Sequence, residues 1–199
     1  MLLVFDFDGT IHQTHIIYER AMAKSLEGEN IQADKIDIRS LIGESPEDAW
    51  KIIGLSDERK IKSLVQKTGD LMESFMEKEG RLFDKADETL TYLKYKYDLI
   101  LLSNCRSSYM KKAREVYGLD KYFEKFLVGE EFAYQEKYKI LRDLKLGSFI
   151  SIGDRKNDIE AARGNGQKSI FASYGYGGSH EGDGADIRIE KIEDLVGLL

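Results

Sequence analysis

Met1-Leu2-Leu3-Val4-Phe5-Asp6-Phe7-Asp8-Gly9-Thr10 is an apolar run that ends in two acids. Leu2 to Phe5 are apolar without alternation, which suits a strand covered on both faces, as in a parallel sheet flanked by helices. Asp6 and Asp8 stand two apart, so extended backbone would send both side chains off one face, with the chain turning at Gly9. Two ionised carboxylates held together repel, and a shared proton, a divalent cation or a nearby Lys would relieve them. The stretch therefore implies a counter-charge elsewhere in the chain.

Outward from this strand the pattern turns helical. Ile16, Ile17, Met22 and Leu26 fall near one face of a helix expected over 14–27. Ser45-Pro46-Glu47-Asp48 reads as an N-cap, a proline at the first helical position and acids at the positive end of the dipole. Ser56-Asp57-Glu58 repeats the start signal, and apolar residues from Ile61 to Met76 recur at helical spacing, with a weak point expected at Gly69. Residues 14–80 thus read as helices without a strand. That is too long for one crossover, and an inserted all-helical subdomain (14–80) in a core of 1–13 and 81–199 is expected.

Alternation returns after Asp84. Helices near 86–96, 107–117, 134–145, 159–164 and from Ile192 are interleaved with strands at Leu99–Ser103, Phe126–Val128, Ser148–Ile152, Ser169–Ala172 and Ile187–Ile189. This order predicts an α/β fold, a doubly wound (Rossmann-like) parallel sheet, in which ligands bind at the carboxyl ends of the strands. Asp6, Ser103-Asn104 and Gly153-Asp154-Arg155-Lys156-Asn157-Asp158 all stand at such ends.

Composition narrows the function classes. The 199 residues are 42% apolar and 33% charged with a net charge of −6. The absence of basic clusters argues against a nucleic-acid surface. No run is long enough to cross a bilayer and no charged-then-apolar leader is evident, so a soluble cytoplasmic protein is expected. The single Cys105 cannot form an internal disulfide and fits a reducing compartment.

Taken together, these stretches resemble the haloacid dehalogenase (HAD) superfamily of phosphatases and phosphotransferases. Asp6-x-Asp8-Gly9-Thr10 is similar to its first motif, Leu102-Ser103-Asn104 to its second and Gly153-Asp154…Asp158 to its fourth. The third, a lone lysine, falls on Lys137 or Lys139. The late Tyr174-Gly-Tyr-Gly and Gly184-Ala-Asp186-Ile187 resemble the phosphoglycolate-phosphatase-like and β-phosphoglucomutase-like branch, whose cap is helical.

The resemblance implies Asp6 as nucleophile, Asp8 as acid/base, Ser103 and Lys137 on the phosphoryl oxygens, and Thr10, His12, Asn104 and Glu44 towards substrate. It implies Mg²⁺ held by Asp6, the backbone carbonyl of Asp8, Asp154 and Asp158, with Asp158 a ligand or an orienting residue. His12 and His15 are expected at the entrance of the cap. A small phosphorylated metabolite is the expected partner of a monomer or homodimer. The leading function is a Mg²⁺-dependent phosphatase acting through an aspartyl phosphate; a phosphomutase or a non-catalytic regulatory protein on the same fold are the alternatives.

Overall fold

The computed structural model describes residues 1–27, 29 and 37–199. Six parallel strands form one sheet in the order β3-β2-β1-β4-β5-β6: β1 (Leu2–Phe5), β2 (Asp98–Ser103), β3 (Lys125–Val128), β4 (Phe149–Gly153), β5 (Lys168–Ala172) and β6 (Ile187–Ile189). The unalternated apolar run of β1 lies in the middle, with Phe5 in register with Leu101 of β2 on one side and Ile152 of β4 on the other. Leu3 and Phe5 join the hydrophobic layer on one face, and Val4 joins the layer on the other. Each such fully buried side chain contributes roughly 1.5–3 kcal/mol, so β1 is anchored on both faces.

Helices α4 (Ala86–Lys94), α5 (Ser107–Tyr117) and α8 (Asp194–Leu198) supply the first layer through Leu90, Met110 and Leu195. Helices α6 (Lys137–Leu144) and α7 (Lys156–Arg163) supply the second through Ile140, Leu141 and Ala161. The chain winds from β1 towards β2 and β3, then returns to the opposite side of β1 as β4. The winding therefore reverses between β1 and β4, where open α/β sheets bind ligands. Asp6 and Asp154 directly follow those two strands.

Between β1 and α4 lie α1 (His15–Leu26), α2 (Pro46–Ile52) and α3 (Glu58–Glu79). Met22, Leu41, Trp50, Ile61 and Leu64 form a hydrophobic cluster among them, separate from the two sheet layers. Ser45 caps α2, its hydroxyl accepting from the Asp48 N–H at 3.2 Å, and Asp57 caps α3 by accepting from the N–H groups of Arg59 and Lys60.

Two expectations need correction. Helix α3 runs unbroken through Gly69, because this glycine serves close approach: a Cβ there would lie 1.8 Å from a guanidinium nitrogen of Arg106. Helix α6 begins at Lys137 instead of near 134, because Ala133 and Tyr134 both take left-handed backbone (φ +51° and +53°), which an α-helix cannot include. Among the described residues no helix is long and apolar enough to cross a membrane.

Candidate active site

The tip of the sheet is built largely from backbone. Asp6 extends the ladder past β1, its N–H donating to the Ile152 carbonyl at 2.9 Å. Gly9 then turns the chain with φ +89°, and a Cβ there would lie 2.4 Å from Asp154 Oδ2. Asp154 is held from the other side by the Tyr174–Gly177 loop. The Tyr176 and Gly177 N–H groups donate to its Oδ2 at 2.7 and 3.3 Å, and the Thr10 hydroxyl donates to its Oδ1 at 3.3 Å. Asp158, in the first turn of α7, accepts from the Arg155 N–H at 3.1 Å, which caps the helix, while its other oxygen faces the site.

Lys137 supplies the counter-charge. Its Nζ lies 2.5 Å from Asp6 Oδ1 and 2.6 Å from Asp158 Oδ1, and the side chain is 3% exposed. Lys139 instead points outward and pairs with Glu136. Burial works against the Lys137 ammonium, but Asp158 and Asp6 outweigh it and hold its pKa above the ordinary value. Burial likewise raises Asp6 against the pull of Lys137, and pushes Asp158 up to about 6. Asp154 is driven well above the usual carboxylate range, first by burial and then by Asp6 and Asp158.

Oxygens of Asp6, Asp154 and Asp158 lie within 4.8 Å of one another. Three buried carboxylates against one ammonium leave excess negative charge, and an all-oxygen donor set is what a hard divalent cation takes. These residues fit Mg²⁺.

Asp8 occupies a different environment. Its Oδ1 accepts from the hydroxyls of Thr14 (2.6 Å) and Tyr109 (3.0 Å), and its Oδ2 from Ser103 (3.2 Å). Burial raises its pKa, and these three donors oppose the rise. Because Thr14 gives its only proton to Asp8, it must accept from His12 Nδ1 at 2.8 Å, which leaves His12 Nε2 to accept from the Tyr117 hydroxyl at 2.9 Å. The result is a directed chain, Tyr117 to His12 to Thr14 to Asp8. The His12 ring is fully buried and stacks on Phe7 at 5.0 Å.

Above Asp8 opens a cavity with about 610 Å³ of atom-free space, part of it open to solvent, walled by α1–α3, α5 and the loop after β2. Asp8, Glu44 and Asn104 line it, whereas Thr10 and His12 do not. Thr10 serves Asp154 instead, and His12 stands behind Thr14.

Two arginines bind the helical segment to the sheet tip. Arg106 donates to the Val65 and Gln66 carbonyls of α3 at 3.4 Å and to Gln66 Oε1 at 3.3 Å. Arg155 donates to the Ser40 carbonyl at 3.1 Å, to the Ile42 carbonyl, to Glu44 at 3.0 Å and to Glu181 at 2.6 Å. Neither arginine is singled out by the sequence, nor is Tyr109. The one available signal is that each arginine follows a strand-end motif within three residues.

Residues 3–172 match the haloacid dehalogenase-like hydrolase family. The chain belongs to this family. Among the relatives of this hydrolase, a phosphoglycolate phosphatase from Vibrio parahaemolyticus is 27% identical over 195 residues, covering 88% of this chain and 84% of that protein. One from Pectobacterium atrosepticum is 23% identical, covering 99% and 91%. A predicted phosphatase from Clostridium acetobutylicum shares the fold, with a TM-score of 0.86 at 22% identity over 99% of this chain and 96% of that one.

Proposed function

We propose that this hydrolase is a Mg²⁺-dependent phosphatase that cleaves a small-molecule phosphate monoester through an aspartyl phosphate on Asp6. The observation that carries the reading is Lys137 seated between Asp6 and Asp158, with Asp154 beside them, where the winding of the sheet reverses. Asp6, Asp154, Asp158 and the backbone carbonyl of Asp8 would hold Mg²⁺, whose charge would offset the repulsion between an anionic nucleophile and an anionic phosphate.

Asp6 attacks phosphorus, and the bond to the alcohol oxygen breaks. Asp8 delivers a proton to the departing oxygen, a role that burial favours by raising its pKa against the pull of its three hydrogen-bond donors. The Asp8 carboxylate so formed takes a proton from water, whose oxygen attacks phosphorus, releases inorganic phosphate and restores Asp6. Lys137 donates to the phosphoryl oxygens as charge builds on them, and Ser103 joins it when its hydroxyl turns from Asp8 to the phosphoryl group. Tyr109, Thr14 and, behind it, His12 fix the orientation of Asp8. Residues 1–13 and 81–199 form the catalytic core of this scheme and 14–80 a cap that closes over substrate, residues 28 and 30–36 of that range lying outside the described residues.

A phosphomutase would hold a second phosphate and needs uncommitted cations for it. Arg106 is the one cation among the described residues lining the cavity, and it is engaged with α3, which favours hydrolysis over transfer. The names of the curated relatives put phosphoglycolate among the esters to assay.

Phosphate release with Mg²⁺, followed by acid quenching and mass-spectrometric mapping of protein-bound phosphate, tests the scheme. Label on Asp6, loss of activity in excess chelator and a loss of about 10⁴–10⁶-fold in Asp6→Asn are expected. Label on Asp8, or on any Ser or His, overturns the mechanism, and full turnover in chelator overturns the metal requirement.

A further inference from the structure

The wall of the cavity above Asp8 is dominated by Tyr18, Met22, Leu41, Trp50, Val65 and Met72. Asp8 lines it and Asp6 does not, so what the cavity receives is the half of the ester that Asp8 protonates. The inference drawn here rests on the phosphatase reading and concerns that half alone.

The polar lining is mostly engaged within the protein. Thr14 donates to Asp8, and Thr68 donates to Ser25 at 2.8 Å. The Asn104 amide nitrogen donates to the Gly43 carbonyl at 3.2 Å, and Glu44 accepts from Arg155. Arg106 spends its guanidinium on the carbonyls of α3, pressed against Gly69 where no side chain intervenes. Cys105 is buried, and burial pushes its thiol pKa up, so it remains a neutral, weakly polar surface. Among the described residues this leaves the Tyr18 hydroxyl, the second carboxylate oxygen of Glu44 and the buried, unpartnered Asn104 Oδ1 to meet a ligand, none of them a cation.

A carboxylate brought into such a space sheds water, meets the Glu44 carboxylate and gains no free cation, and a polyhydroxylated chain buries more hydroxyls than these few groups can satisfy. An apolar group loses nothing comparable and gains contact with aromatic and thioether walls. We propose that the cavity accepts a compact apolar alcohol, aromatic or branched aliphatic with at most one polar substituent, and discriminates against carboxylate-bearing and polyhydroxylated esters. The substrate class is a phosphate monoester of such an alcohol. Phosphoglycolate, despite the names of the relatives, belongs to the rejected class.

Benzyl phosphate, glycerol 3-phosphate and phosphoglycolate all carry alkyl leaving groups, so differences among them report the cavity more than intrinsic reactivity. With Mg²⁺, kcat/KM for benzyl phosphate is expected to exceed that of either of the others by about tenfold or more, the scale on which an apolar pocket discriminates. The Met72→Gln variant, which puts an amide into the wall, should narrow that ratio through KM for benzyl phosphate. Equal or faster turnover of phosphoglycolate or glycerol 3-phosphate, or a ratio unmoved in Met72→Gln, overturns the substrate assignment and leaves the phosphatase reading standing. Failure of all three esters and of p-nitrophenyl phosphate overturns that reading, and the assignment with it.

Discussion

The carboxylate cluster at the strand tips and the cavity above it lie next to each other and are built on opposite terms. In the cluster Asp6, Asp154 and Asp158 are acids sunk in protein, both oxygens of Asp154 and Asp158 and one of Asp6 aimed at an ammonium, a hydroxyl or a backbone N–H. In the cavity the walls are apolar and their few polar atoms are mostly spent on the protein itself. Under the proposed function the difference separates two tasks: the tips would define what is done to phosphorus, and the walls which alcohol is carried to it. Asp8 joins the two, lining the cavity while it accepts from Ser103 at the end of β2.

The contrast breaks most severely at Lys137. Its replacement by Met would leave the Asp6 and Asp158 carboxylates buried without a partner, and breaking such a pair costs about 3–5 kcal/mol. Thermal unfolding of Lys137→Met should therefore fall sharply in chelator and recover in part with Mg²⁺, while the parent protein responds less. A variant as stable as the parent in chelator would mean that the cluster is not under the electrostatic stress described.

A second test lies behind Asp8. Burial pushes the pKa of His12 down to about 3 from its usual 6.5, so the folded chain holds this imidazole neutral where the unfolded chain would protonate it. The associated stability is fully present above pH 6.5 and is lost as pH falls from there towards 3, because the unfolded state binds the extra proton. Between pH 7 and 4 the parent should lose about 3 kcal/mol more stability than His12→Asn, from about 1.4 kcal/mol per pH unit below 6.5. Parallel stability curves for the two proteins would place His12 in contact with water.

The mildest test acts on the seam between the two regions. Arg106→Met removes the bonds to the Val65 and Gln66 carbonyls and to Gln66 Oε1, each worth about 0.5–1.5 kcal/mol. If α3 must close over bound substrate, KM should rise about tenfold with little change in kcat. An unchanged KM would show that this contact plays no part in closure.

The parts of this arrangement legible in the sequence are those set by short-range pattern. The unalternated apolar run announced β1, polar residues at the ends of apolar runs announced the tips, and caps at Ser45 and Asp57 announced α2 and α3. Asp6, Ser103 and Asp154 could be placed at strand ends in advance because strands alternating with helices imply a parallel sheet, whereas the grouping of Asp6 and Asp154 with Asp158 was implied by the family resemblance alone. Lys137 could not be separated from Lys139 by spacing; the left-handed pair at Ala133-Tyr134 delays the start of α6, and Lys137 is the first residue of the helix and turns inward. Tyr109, Arg106 and Arg155 were invisible for a different reason. Each acts on a segment distant in the chain, and neither periodicity nor capping encodes where a long side chain will reach. Gly69 was misread on the same account, since helix propensity sees only the cost of a glycine and not the guanidinium that needs its missing side chain.

The close packing of backbone on Asp154 and Asp158 bears on how such an enzyme diversifies. A Cβ at Gly9 or Gly175 would lie within 2.4 Å of Asp154 atoms, and one at Gly153 would lie 2.1 Å from Asp158 Cγ, so no side chain can be added there without moving a carboxylate. At these glycines the reactive end of the molecule has no room for an added side chain. Much of the cavity wall is instead side chains on α1, α2 and α3, such as Met22, Trp50 and Met72, that make no contact with the carboxylates in the hydrogen-bond network described. Under the proposed function, a lineage could exchange one alcohol for another through the helical part of the wall while the glycine-seated carboxylates stay in place.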